Sequence, residues 1–218
     1  MTGAWPWLAV ALLGAYHGID PSMGWLFAVA LGLQERRRGK VLAALPPIAA
    51  GHLVSVGLAV ALIAGAMASG AWILRPIGAA ALVAFGLFRL WRPRAHPRWV
   101  AMRVNARDLA TWSFLMATAH GAGLMLFPIL MNMPAGGSGM SATHHHHIAG
   151  IATHGHLGLM QGIAVVLVHT GAMLLVMGTV AIAVYEWVGL QILRSAWINL
   201  ETIWAVALIA AGLLSLII

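Results

Sequence analysis

The chain contains no cysteine, and only 8% of its 218 residues are charged. The absence of cysteine excludes disulfides, thiolate metal sites and thiol chemistry. The scarcity of charge excludes an ordinary soluble domain, in which about a quarter of the residues are charged. Since 61% of the residues are hydrophobic and fall in long runs that do not alternate with polar residues, the sequence predicts an all-α polytopic membrane protein embedded in a lipid bilayer.

The net charge of +7 comes mainly from two basic segments, 35–40 and 89–107. Such clusters identify cytoplasmic loops rather than a nucleic-acid surface, so no nucleic-acid partner is expected. The pattern predicts six transmembrane helices, with both termini outside, in a bacterial inner (plasma) membrane. The predicted spans are 5–33, 42–67, 71–91, 109–132, 157–187 and 196–218.

The first span contains ionisable groups in its middle, in the run from Tyr16 to Pro21. An Asp at the centre of a membrane span costs about 2.5–3.5 kcal/mol on insertion scales, so Asp20 is expected to face the protein interior and to serve a function. Pro21 removes a backbone donor, and Gly18 adds conformational freedom. We therefore expect the helix to kink or unwind at 17–21 and its freed carbonyls to point at a ligand.

The two halves of the chain resemble each other. Tyr16-His17-Gly18 is echoed by Ala119-His120-Gly121, and His52 is echoed by His169. Because each half has three spans, two tandem copies would lie in opposite orientations. The sequence thus predicts two inverted three-helix repeats, 1–107 with the basic loops and 108–218 with an inserted outer loop at 131–156.

Four spans each carry one histidine roughly 15–20 Å from the start of the span, at 1.5 Å per residue. All four imidazoles should therefore lie near the midplane of a ~30 Å hydrocarbon core. Imidazole binds Ni, Co, Zn and Cu, and a carboxylate adds a harder ligand. Asp20 lies one turn from His17, and Met173 one turn from His169, so both can join the same site, although a single Met is more often a core residue. The predicted midplane metal site consists of His17, Asp20, His52, His120, His169 and Met173.

The outer loop is rich in histidine and contains neither Lys nor Arg nor a carboxylate. A flexible His/Met tract of this kind is typical of transition-metal capture, and the lack of carboxylates argues against Ca²⁺ or Mg²⁺. A plain polar linker is the alternative. The residues expected to capture metal are His144, His145, His146, His147, His154 and His156.

A His followed by Asp in the first span (His17-Gly18-Ile19-Asp20), Gly51-His52 in the second and a His-rich loop resemble the nickel/cobalt transporters of the LysE superfamily, with the hydrogenase/urease-accessory permeases as a second neighbour. In those transporters the first motif is a His, four residues, then Asp-His. The resemblance implies transport of a divalent cation.

Three functions remain open from the sequence. The first is a transition-metal permease, not an enzyme, in which Asp20 with Glu186 or Glu201 exchanges protons. The second is a b-type cytochrome, because four intramembrane histidines could ligate haem in bis-His pairs. The third is an accessory membrane protein that delivers metal. A homo-oligomer is compatible with each.

Overall fold

The computed structural model describes residues 4–68, 74–91, 104–133, 158–188 and 200–217. Helices account for its regular structure and no strand occurs in these ranges, which confirms the all-α prediction. The helices are α1 (Trp5–Ile19), α2 (Trp25–Glu35), α3 (Arg38–Ala68), α4 (Leu74–Trp91), α5 (Ala106–Ala119), α6 (Phe127–Met131), α7 (Leu159–Ala183) and α8 (Leu200–Ile217).

The first predicted span is broken where the sequence places Asp and Pro. Helix α1 ends at Ile19, Asp20 is extended with ψ 119°, and the turn Pro21–Met23 leads into Gly24. Gly24 has φ +123°, a value that L side chains rarely adopt, and α2 starts directly after it. The predicted break is therefore confirmed, and it extends a turn beyond Pro21.

A second break separates α5 from α6. Their axes are bent by 46° at the interruption after Ala119. Gly121 has φ +67° there, which favours glycine. Helix α1 thus ends one residue after His17-Gly18, and α5 ends one residue before His120-Gly121.

Two helical stretches are long and apolar enough to cross a membrane, Arg38–Met67 and Leu159–Trp187. The bent pair α5–α6 makes a third if it counts as one span. The described helices overlap the six predicted segments, but α2, α3 and α5 extend beyond the predicted bounds, and the number of spans stays a prediction.

Close backbone contacts pair α1 with α7 and α3 with α5. Gly14 lies against the backbone of His169, and Gly18 against that of Met173. A Cβ on either glycine would collide with these groups, so glycine is required for the approach. Because the residue numbers rise in the same direction along both helices, α1 and α7 run parallel.

Helices α3 and α5 are also parallel. Gly51 lies against the backbone of Ala110, and the hydroxyls of Ser55 and Thr118 are 2.8 Å apart. The partner residue advances along α5 as the chain advances along α3.

The other two close pairs are antiparallel. In α4 and α8, Gly86 faces Ala205 and Gly212 faces Ala79. In α3 and α7, Gly178 packs on Leu45, while His52 contacts His169 farther along α3.

The buried apolar side chains form two clusters. The first includes Val10, Val56, Val60, Leu82, Leu126, Val165 and Leu208. The second includes Met23, Ile48, Leu109, Met116, Met173 and Met177. Apolar residues also cover the outside, where Leu62 is 74% and Leu175 71% exposed, an arrangement suited to a lipid environment rather than to water.

Candidate functional site: a buried histidine layer

Four histidines lie between the two apolar clusters. Along the chain, His17 falls between Val10 of the first cluster and Met23 of the second, and in α3, His52 falls between Ile48 of the second cluster and Val56 of the first. His120, directly after α5, falls between Met116 of the second cluster and Ala122 of the first, and in α7, His169 falls between Val165 of the first and Met173 of the second. All four side chains are buried. We call this set the histidine layer.

Three of these imidazoles contact one another. The ring centroid of His17 is 5.5 Å from that of His52 and 5.0 Å from that of His169. The rings of His52 and His169 are nearly parallel, with centroids 5.4 Å apart. The parallel packing of α1 on α7 at Gly14 produces the shortest of these contacts, because His17 follows Gly14 by one turn.

Backbone carbonyls orient three of the four rings. The Nδ1–H of His17 donates to Leu13 O at 2.7 Å, and that of His120 donates to Met116 O at 2.8 Å. The Nδ1–H of His169 points at Val10 O across the helix interface, at 3.4 Å. Since a carbonyl can only accept, Nδ1 carries the proton in each ring, and Nε2 keeps its lone pair. Metal-binding histidines are commonly oriented in this way.

A second polar group consists of Asp20, Ser22 and His120. Asp20 accepts the backbone N–H and the hydroxyl of Ser22 at 2.8 and 2.7 Å. His120 Nε2 is 3.3 Å from the Ser22 hydroxyl and 3.9 Å from Asp20 Oδ2. The break in the first span thus places a carboxylate from the first half of the chain next to a histidine from the second half.

The expectation that carbonyls freed by the break point at a ligand is wrong for two of them. The indole N–H of Trp25 donates to Ile19 O at 2.9 Å, and that of Trp112 donates to Ser22 O at 3.0 Å. A buried carbonyl without a donor costs about 1–3 kcal/mol, so the protein satisfies these two with its own side chains. Ser22 and the two tryptophans were not singled out from the sequence, although Ser22 follows Asp20 at the spacing of an Asx turn.

Several buried polar atoms have no hydrogen-bond partner among the described residues. They include both ring nitrogens of His52, Nε2 of His169 and the hydroxyl of Thr170. Buried polar groups are usually paired, and an unpaired one needs an explanation. The unpaired ring nitrogens of His52 and His169 can each bind a proton or a metal ion.

The other predicted site residues lie elsewhere or outside the described ranges. Met173 is buried in the second apolar cluster together with Met116 and Met177. Glu186, three residues after the end of α7, forms an ion pair of 3.1 Å with Arg38 at the start of α3, and both side chains are partly exposed. The side chain of Glu201 and the six loop histidines, His144, His145, His146, His147, His154 and His156, lie outside the described parts.

Among the described residues, no group of three or more His, Asp or Glu side chains is arranged as a ready metal site. The three rings are close together, but their nitrogens do not converge. Comparisons with known proteins found no matching family model, no matching curated protein and no matching solved structure.

Proposed function

We propose that the protein is a membrane permease for a transition-metal ion, and that the ion binds in the histidine layer. The observation that carries this proposal is the contact of three buried imidazoles from three different helices, His17, His52 and His169. A packing role does not require three polar rings at one point, because burying a polar group costs free energy where it lacks a partner, as both ring nitrogens of His52 do among the described residues.

The spacing of the rings fits an ion. Three imidazoles that share a metal at about 2.0–2.1 Å from each nitrogen have their ring centroids roughly 5–5.5 Å apart. The observed separations are 5.0–5.5 Å. Binding requires the rings to rotate so that a nitrogen of each points inward, and His52, which no hydrogen bond holds among the described residues, is the ring with the greatest freedom to do so.

The types of ligand indicate which metal ions the protein transports. Neutral imidazole suits Ni²⁺, Co²⁺, Zn²⁺ and Cu²⁺, whereas Mg²⁺ and Ca²⁺ prefer oxygen. Asp20 offers one hard ligand beside His120. Met173 has a packing role in the second cluster and supports a thioether-bound ion less well than the sequence suggested.

Helix directions support the six-span arrangement. If consecutive spans alternate in direction, the first and fifth run parallel, as do the second and fourth, while the third and sixth are antiparallel. The contacts of α1 with α7, α3 with α5 and α4 with α8 have these three relations. The same plan underlies the proposed inverted repeats, whereas the proposed location in the inner membrane rests on the apolar helices and the basic segments.

The cytochrome alternative is less compatible with the packing. Two imidazoles on opposite sides of a haem iron have centroids roughly 6 Å apart, with the macrocycle between them. Here the rings approach more closely, and the backbones of α1 and α7 meet at Gly14 and Gly18, next to His17. This contact leaves no slot for a porphyrin between these two helices.

The test is uptake of Co²⁺ into liposomes that contain the purified protein, with an optical spectrum of the same sample. We expect saturable uptake that is lost in His52→Gln, and no haem absorption band. Ser113→Ala is the matched control, because this buried serine lies two turns from His120 on α5 and its hydroxyl has no hydrogen-bond partner among the described residues. Equal uptake by protein-free liposomes would refute the permease, and metal binding without uptake would instead favour the accessory protein.

A further inference from the structure

The contact between α4 and α8 is reciprocal. A Cβ on Gly86 would meet Ala205 O and the Cγ1 of Ile209, while a Cβ on Gly212 would meet Ala79 O and the Cγ2 of Val83. Each residue of one set corresponds to a residue of the other by the same shift of 126 positions (86 to 212, 79 to 205, 83 to 209). A two-fold axis that exchanges the two helices produces this pattern, and unrelated packing does not require it.

The helices that carry the histidines have contacts that fit the same axis. It exchanges α1 with α5 and α3 with α7, so the parallel pair α1–α7 becomes the parallel pair α3–α5. Under this exchange His17 corresponds to His120, and each donates its Nδ1–H to the carbonyl four residues earlier. His52 corresponds to His169, and their nearly parallel rings, 12° apart, face each other as two residues on either side of the axis would.

Symmetry therefore gives the central pair two equivalent neighbours. The axis exchanges His52 with His169, so these two residues form the central pair. It also exchanges His17 with His120, so one of these residues lies on each side of the pair. In the structure described here, His17 contacts the pair and His120 is turned toward Asp20 and Ser22.

We infer that the layer contains two overlapping ion positions that share His52 and His169, with His17 as the third ligand of one and His120 as the third ligand of the other. The ion passes between them without leaving the central pair. This inference rests on the proposed function, and it adds the route that the ion takes through the site.

The two positions are chemically different. The residue three after His17 is Asp20, whereas the residue three after His120 is Gly123. The carboxylate lies 3.9 Å from His120 Nε2, so the His120 position can add an oxygen ligand to its imidazoles. Because the ligands differ, one position binds a given ion more tightly than the other. A difference in affinity between two states is what allows a ligand to shift their populations.

Titration of detergent-purified protein with Co²⁺ tests the two positions. We expect both single variants still to bind, because one position remains in each. His120→Gln, which removes the position that can add the Asp20 oxygen, should weaken binding by about tenfold or more, whereas His17→Gln should bind nearly as tightly as the unaltered protein. The double variant and His52→Gln should lose binding by more than about 100-fold. Each single variant should also lose uptake into liposomes although it binds Co²⁺, because only one of the two ion positions remains. Glutamine is chosen because its side-chain volume is close to that of histidine. The unfolding temperature of each variant, compared with that of Ser113→Ala, shows whether the variant is folded.

Other outcomes decide between alternatives. If both single variants lose binding as completely as His52→Gln, the four histidines form one position, and the two-position inference falls while the permease stands. If either single variant retains both binding and uptake, its histidine is not a ligand and the inference also falls. If the unaltered protein binds no Co²⁺, the proposed function itself is wrong. X-ray absorption of Co²⁺ bound to the unaltered protein is independent of any variant: three imidazole ligands are expected, and four would overturn the inference.

Discussion

Gly14→Ala should weaken both the fold and metal binding, because it separates the two helices that bring His17 to His169. A Cβ at this position would lie 2.9 Å from the carbonyl carbon of His169, and ordinary contact begins at 3.4 Å. The helices α1 and α7 must therefore move apart by at least about 0.5 Å. The carbonyl oxygen is closer still, so the real displacement is larger.

The size of the effect follows from two known tolerances. Overpacking of a close interface costs typically about 1–3 kcal/mol. Ligand constellations tolerate displacements of only about 0.5 Å, so Co²⁺ affinity should fall by about tenfold or more. The unfolding temperature and a Co²⁺ titration in detergent measure the two effects on the same sample.

Gly171→Ala is the control. Gly171 also lies in α7, two residues after His169, and a Cβ there would meet nothing within 4 Å. Alanine should stabilise this helix by up to about 1 kcal/mol and leave Co²⁺ binding unchanged. If Gly14→Ala binds Co²⁺ as tightly as Gly171→Ala and unfolds at the same temperature, the contact of α1 with α7 does not position the site.

Three further outcomes can be checked. A cysteine placed at Ser141 in this cysteine-free chain should react with a membrane-impermeant thiol reagent on intact cells, and reaction only after lysis would contradict the predicted outer location of the loop. Replacing the six histidines between His144 and His156 by serine should raise the Co²⁺ concentration needed for half-maximal uptake without lowering saturated uptake, and an unchanged concentration dependence would mean that the loop is a plain linker. Glu186→Gln should change stability by less than about 1 kcal/mol, because its ion pair with Arg38 is partly exposed; if it also abolished uptake, the carboxylate would have the proton-coupling role that the sequence suggested.

The sequence predicted the elements that depend on local chemistry. Proline and glycine limit the backbone at Asp20, and the break was found there. Counting residues from the start of each span placed the four histidines at one depth, and they lie between the same two apolar clusters. Long apolar runs predicted helices, but the number that cross a membrane stays a prediction.

The contacts that close the site could not be predicted, because they depend on which helices are neighbours. The Ser22–His120 approach joins residues 98 positions apart, and the Trp112 indole reaches the Ser22 carbonyl from another helix. The glycines at 14, 51, 86 and 212 are common residues in an apolar chain, and only the packed structure distinguishes them from Gly171. A methionine one turn from a histidine can likewise be a metal ligand or a core residue, and in the structure Met173 is a core residue.

The capped start of α5 fixes the distance of His120 from the first residue of this helix. Asn105 accepts the backbone N–H groups of Arg107 and Asp108, and Asp108 accepts that of Asn105 in return, so the helix has a defined first residue. From there the 14 residues of α5 measure about 21 Å to His120 at 1.5 Å per residue. One residue inserted between Asp108 and His120 would turn the imidazole by about 100° and carry it away from Asp20. The number of residues in α5 thus sets the distance from its cap to His120, whereas the side chains on its outer face do not affect that distance.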